Sequence, residues 1–255
     1  MRYAQRGSTL IVVLMIVLMI TIIGTLAIRQ SVSSLKLVSN NQIQTLLAQN
    51  ADAALMYFQN PDIQQNMASA NGIVGFFKNE DNWNKELVFC FKGTQPFNLS
   101  NASWLYWDGA TKHSQLMATG GGACQALSSE DKRDVTQFSG GRSQVVTQIH
   151  IKRAASTAQP FSDLARGTDA IGAKTENSIR LRVQVTSVME GLLSNPNSDL
   201  FDTKTGCLNK SIELTPEAIE KKETGLVQCL QEKNILYSTQ VAEYRFLSDF
   251  EPSGS

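Results

Sequence analysis

Arg6-Gly7-Ser8-Thr9-Leu10-Ile11-Val12-Val13-Leu14-Met15-Ile16-Val17-Leu18-Met19-Ile20-Thr21-Ile22-Ile23-Gly24-Thr25-Leu26-Ala27-Ile28-Arg29 decides how the rest of this chain is read. Between its two arginines lie 22 uncharged residues. At ~1.5 Å per helical residue they cover about 33 Å, close to the ~30 Å hydrocarbon core of a bilayer. The stretch has the length and composition to span a membrane. An ordinary export signal has a shorter apolar run with small residues at a cleavage site on its far side. Here Ile28-Arg29-Gln30 is a poor site, and the small residues lie on the near side, in Arg6-Gly7-Ser8.

Beyond Arg29 the pattern becomes amphipathic. Val32, Leu35, Val38, Ile43, Leu46, Leu47, Ala51, Ala54, Leu55 and Phe58 recur at steps of three and four, with polar residues between them. Asn60-Pro61 is a stop, because the residue before proline disfavours helical backbone. The spacing predicts one helix from about Thr9 to Asn60, roughly 75 Å long. Its first half would be membrane or filament core and its second half the spine of an external domain. Gly24 and Ser39-Asn40-Asn41 are the places where it could instead break into two.

The 255 residues carry 23 basic and 23 acidic side chains. That balance gives no reason to expect a nucleic-acid site. Arg2 and Arg6 precede the span and Arg29 and Lys36 follow it, a bias towards a cytoplasmic N-terminus with the bulk of the chain outside. Cys90, Cys124, Cys207 and Cys229 are an even set with no Cys-x-x-Cys, as expected of disulfides in an oxidising compartment. Four cysteines permit three pairings. The simplest closure joins neighbours, Cys90 with Cys124 and Cys207 with Cys229.

Residues 61–84 read as polar and turn-rich, with Ile73-Val74-Gly75-Phe76-Phe77 packing back on the helix. Leu87–Phe91 and Trp104–Trp107 are aromatic and β-branched runs expected to be short strands, and Gly120-Gly121-Gly122 and Gly140-Gly141 mark loops. Residues 145–151 and 179–188 alternate. Thr147, Ile149 and Ile151 share one face of the first, and Ile179, Leu181, Val183 and Val185 one face of the second. An antiparallel sheet covered by the helix on one side follows, with Arg180, Arg182 and Gln184 facing outward. A polar excursion from Lys152 to Ser178 separates the strands. Thr215-Pro216 starts a capped helix to about Glu223, and Val241–Leu247 is a last strand. The expected fold is α+β: a long N-terminal helix packed on an antiparallel sheet with disulfide-stapled loops.

Catalytic chemistry has little to stand on. The two histidines, His113 in a polar loop and His150 on the solvent face of a strand, lie in no nucleophile, zinc or phosphate motif. No enzyme, cofactor or metal is expected. Asn195, Asn197 and Asp199 alternate like calcium ligands, with Asp202 nearby, but the glycine and distal glutamate of an EF-hand loop are missing. A polar turn is the simpler reading.

Gln5-Arg6-Gly7, followed by Ser8-Thr9-Leu10-Ile11-Val12-Val13-Leu14 and by Thr21-Ile22-Ile23-Gly24, resembles the N-terminal signature of the PilX-type minor pilins of type IV pili. The resemblance covers residues 5–35. It implies a leader, residues 1–7, removed by prepilin peptidase between Gly7 and Ser8, with methylation of the Ser8 amine. It also implies a helical half in membrane or filament core (8–29), an amphipathic half (30–60) and a pilin-like external domain (61–255). Implied partners are other minor pilins, the major pilin, the inner-membrane assembly platform and a tip adhesin. Implied locations are the bacterial inner membrane before assembly and the pilus afterwards, in support of twitching motility, adhesion or DNA uptake. Most pilins carry glutamate as the fifth mature residue, which here is Val12. A lone carboxylate in hydrocarbon is costly without a cation, so valine suits a subunit at the tip or at the start of assembly. The tip pseudopilin of type II secretion shares this lack and is one rival. A signal-anchored periplasmic scaffold or binding protein is the other.

Overall fold

The computed structural model describes residues 8–91, 97–108, 113–118, 122–125, 145–154 and 179–246. The chain divides into two units, residues 1–45 and 46–255. A helix without proline, α1 (Ser8–Phe58), begins in the first unit and ends in the second. It runs unbroken through Gly24 and Asn40, because neither residue opposes helix strongly enough to end a long run of good formers.

In the first unit the helix is exposed all round. Leu10 to Ile28 are apolar and open, and Val32, Leu35 and Val38 remain 48%, 72% and 52% exposed. The stripe expected to be buried from Val32 onward is buried only from Leu47.

In the second unit, Leu47, Ala51, Ala54 and Phe58 are fully buried. Their spacing of four, three and four places them on one helical face. Asn60 then accepts from the Asp62 amide at 3.0 Å and caps α2 (Pro61–Ala68), with proline in the first turn. A third helix follows, α3 (Ile73–Lys78). The stretch expected to be turn-rich thus holds two short helices. Ile63, Met67, Ile73, Val74 and Phe77 supply their buried sides.

Six antiparallel strands form one sheet: β1 (Glu86–Cys90), β2 (Ser103–Asp108), β3 (His113–Ala118), β4 (Val145–Arg153), β5 (Ile179–Met189) and β6 (Tyr237–Phe246). Their order across the sheet is β3-β2-β1-β4-β5-β6. Pairing of Leu87 with Ile151 and of Ile151 with Val183 puts these residues on one face. There they join Phe89, Ile149, Leu181 and Val185 against Ala51, Ala54 and Phe58. The α+β architecture is as the sequence indicates. β3 was not expected: His113 opens a strand rather than lying in a loop, drawn into the sheet by pairing with Asp108.

The other face is not left to solvent. Val146 and Val188 on that face pack with Leu200, Leu208, Leu226, Leu230 and Ile235. The covering segment holds α4 (Pro216–Glu220), where Thr215 accepts from the Ala218 amide, and α5 (Leu226–Glu232). Gln184, expected outward, is 7% exposed beneath it. Both helices end in a left-handed residue, Lys222 at φ 57° and Asn234 at φ 53°. Glu223 and Ile235 amides then reach back to Ala218 and Leu230 carbonyls, the Schellman arrangement.

Two disulfides staple these layers, Cys90 to Cys124 and Cys207 to Cys229. Each bridge of this loop size stabilises a fold by roughly 2–4 kcal/mol. Gly122 lets the first stapled strand run close to the sheet, since a Cβ there would lie 2.3 Å from the Ser103 nitrogen and 2.5 Å from the Val88 oxygen. Residues 1–7, Gly120-Gly121, Gly140-Gly141 and the excursion beyond Ala154 lie outside the described residues. Lys152 and Arg153, assigned to that excursion from sequence, instead end β4.

Candidate functional site

Ser8 is the first residue of α1, and Gly7 before it lies outside the described residues. The helix that follows carries an 18-residue window of mean hydropathy 3.0, none of it buried within the chain. Thr21 and Thr25 hydroxyls each donate at 2.8 Å to the carbonyl three residues back, Leu18 and Ile22, so neither hydrogen needs a partner in lipid or on a neighbouring helix. Val12 is 53% exposed on this helix. No acidic residue precedes Asp52 along the chain, so the apolar stretch holds no carboxylate.

A second polar constellation lies under the stapled segment. His150, placed on the solvent face by sequence reasoning, is fully buried. Its Nδ1 lies 2.5 Å from Oε1 of Glu86, itself 1% exposed. Ser211 Oγ donates to Glu86 Oε2 at 2.7 Å and the Ile212 amide donates to both carboxylate oxygens at 3.2 Å. On its other side His150 Nε2 meets Gln148 Nε2 at 2.8 Å. Gln148 donates to the Leu208 carbonyl and accepts from the Cys124 amide at 2.9 Å. One chain of hydrogen bonds therefore joins the sheet to both stapled segments. A shallow cleft beside it is lined by Glu86, Leu105, Trp107, Lys152 and Glu213. Lys152 Nζ donates there to the Glu213 carbonyl at 3.1 Å.

This network holds parts together: both Glu86 oxygens are occupied, by His150, the Ser211 hydroxyl and the Ile212 amide. The sequence carried one clue: Leu208 and Leu226 inside the second staple, and Leu230 just after it, need a surface to cover.

The Asn195–Asp202 stretch is a closed turn. Asn197–Phe201 forms one π-helical turn. Asp202 Oδ1 accepts from the Lys204 and Thr205 amides and from the Thr205 hydroxyl. These bonds, the Thr205 amide first, hold the Asp202 carboxyl below its ordinary pKa. Lys233 Nζ contacts Asp199 Oδ1 at 3.2 Å and the Thr205 and Ser198 carbonyls at 3.1 and 3.3 Å. An ammonium thus holds Asp199, one of the side chains that resembled calcium ligands. Among the described residues no group of three or more His, Cys, Asp or Glu is placed to hold a metal ion.

Residues 6–55, 50 of the 255, match the PilX N-terminal family. No curated protein and no solved structure matches the chain. The match falls on the apolar helix and supports a role related to the type IV pilus, in a structural protein rather than an enzyme. A single long apolar helix near the N-terminus fits the membrane-anchoring segment typical of a prepilin.

Proposed function

We propose that this chain is a minor pilin that helps prime assembly of a type IV pilus and ends at or near its tip. Prepilin peptidase cuts after Gly7, the new Ser8 amine is methylated, and the helix from Ser8 leaves the inner membrane for the filament core. The external domain meets other minor pilins, and the complex sits between the major pilin and a tip adhesin.

One observation carries the position within the filament: the fifth residue after the cut is Val12, in a stretch without a carboxylate. A carboxylate at that depth needs a cation to offset the cost of leaving water. A subunit with valine makes no demand on an amine above it, while its own amine remains able to receive a glutamate from the subunit below. A subunit with nothing above it needs that arrangement. The same feature suits the tip pseudopilin of type II secretion, and the two readings differ in whether loss of the protein abolishes pili or protein export.

The test is Gly7→Ala in the native host. The variant is expected to accumulate as an uncut precursor with few or no surface pili. Normal processing with normal piliation overturns the proposal.

A further inference from the structure

Gln148 can be oriented in only one way. Its Nε2 lies against the Leu208 carbonyl, which requires a donor, and its Oε1 faces the Cys124 amide, which requires an acceptor. Turning the amide over would set oxygen against oxygen at Leu208 and nitrogen against nitrogen at Cys124. The second Nε2 hydrogen therefore points at His150 Nε2, 2.8 Å away, and that ring nitrogen must accept it. With Nε2 an acceptor, the imidazole is neutral and carries its one proton on Nδ1, donated to Glu86. The carboxyl group accepts hydrogen bonds from this N–H, the Ser211 hydroxyl and the Ile212 amide.

We infer that His150 is a buried proton switch, in which a proton on Nε2 and the closure of Gln148 onto Leu208 and Cys124 exclude each other. A protonated ring would present N–H to N–H at 2.8 Å inside a fully buried site. Relief requires Gln148 to turn away. Its bonds to the two stapled segments, one beside Cys207 and one at Cys124, then break together.

The charges around the ring do not remove the conflict. Glu86 on β1 attracts a second proton, but it acts at Nδ1, on the far side from Gln148. Lys152 on β4 and Arg182 on β5 repel it. Glu213 on the covering segment is engaged by both of these cations, at 3.6 and 4.0 Å, and Glu243 on β6 holds Arg182 at 3.1 Å. Gln184, opposite His150 on β5, is uncharged. None of these groups supplies an acceptor at Nε2.

Nitrogen-15 NMR of histidine in the full chain, held in detergent micelles between pH 8 and 5, reads the switch with no mutation. At pH 8 the expected state is the tautomer protonated at Nδ1 alone, with the Cys124 amide protected from hydrogen exchange. On acidification, protection at Cys124 should fall at least tenfold over the pH range in which His150 gains its proton. A ring that stays neutral, with Cys124 protected, until the chain unfolds shows no switch in the folded chain and overturns the inference. In Gln148→Met the pH dependence of Cys124 exchange should disappear. A doubly protonated His150 with Cys124 still protected, or a neutral ring protonated at Nε2, overturns the inference.

Discussion

Glu86 and His150, 64 residues apart in sequence, meet on neighbouring strands, with Oε1 and Nδ1 at 2.5 Å and both side chains buried. The pair lies across the β1–β4 ladder on the face covered by the second staple. It fixes the covering segment through Ser211 and Ile212.

Removing the carboxylate strands the His150 N–H and the Ile212 amide and leaves the Ser211 hydroxyl only the Glu213 carbonyl. Glu86→Ala is expected to cost about 3 kcal/mol, because buried groups left without partners bear their full desolvation cost. Glu86→Gln should cost only about 1 kcal/mol. Its oxygen still accepts from His150, and the Ser211 hydroxyl can accept from the new amide while donating to the Glu213 carbonyl, 2.8 Å away. Urea unfolding of the two variants checks the order. Equal losses would mean that charge, not hydrogen bonding, holds the segment.

Asp202 sets an acidic limit. Hydrogen bonds from Thr205 and Lys204 lower its carboxyl pKa in the fold. A lowered folded value means that its stabilising effect is present above the unfolded pKa of about 3.9 and is lost as pH falls through the folded one. The turn at residues 197–206 should therefore loosen below about pH 4. Hydrogen exchange at the Thr205 amide is expected to rise there in the natural chain, and in Asp202→Asn to be raised already at neutral pH.

Lys222 ends α4 at φ 57°, a conformation that costs a side chain about 1–2 kcal/mol and glycine almost nothing. Lys222→Gly should stabilise the domain by about 0.5–1 kcal/mol after the extra freedom of glycine in the unfolded chain is counted. A thermal melt reads the gain as a higher midpoint. At Asn234, whose side chain tolerates this region better, the same substitution should change little.

The parts of this fold written locally were legible. The alternation of Ile179 to Val185 and the spacing of Leu47, Ala51, Ala54 and Phe58 both need only the period of one element. Pro216 marked a helix start in the same way, whereas Pro61, read only as the end of the long helix, also begins α2. What escaped depended on chain brought from far away. β3 and the burial of His150 and Gln184 are set by partners distant in sequence, and strand periodicity cannot tell a polar face open to water from one covered by a stapled segment. The stripe at Val32, Leu35 and Val38 reversed that error: the pattern promised a buried face, and these residues are exposed. The long apolar helix was readable because the length and hydropathy that suit a membrane span are written on consecutive residues.

Mass spectrometry of the mature N-terminus tests the central claim most directly. The account predicts a chain that begins at Ser8 and carries one methyl group on its amine. A mature protein that retains Met1 contradicts it.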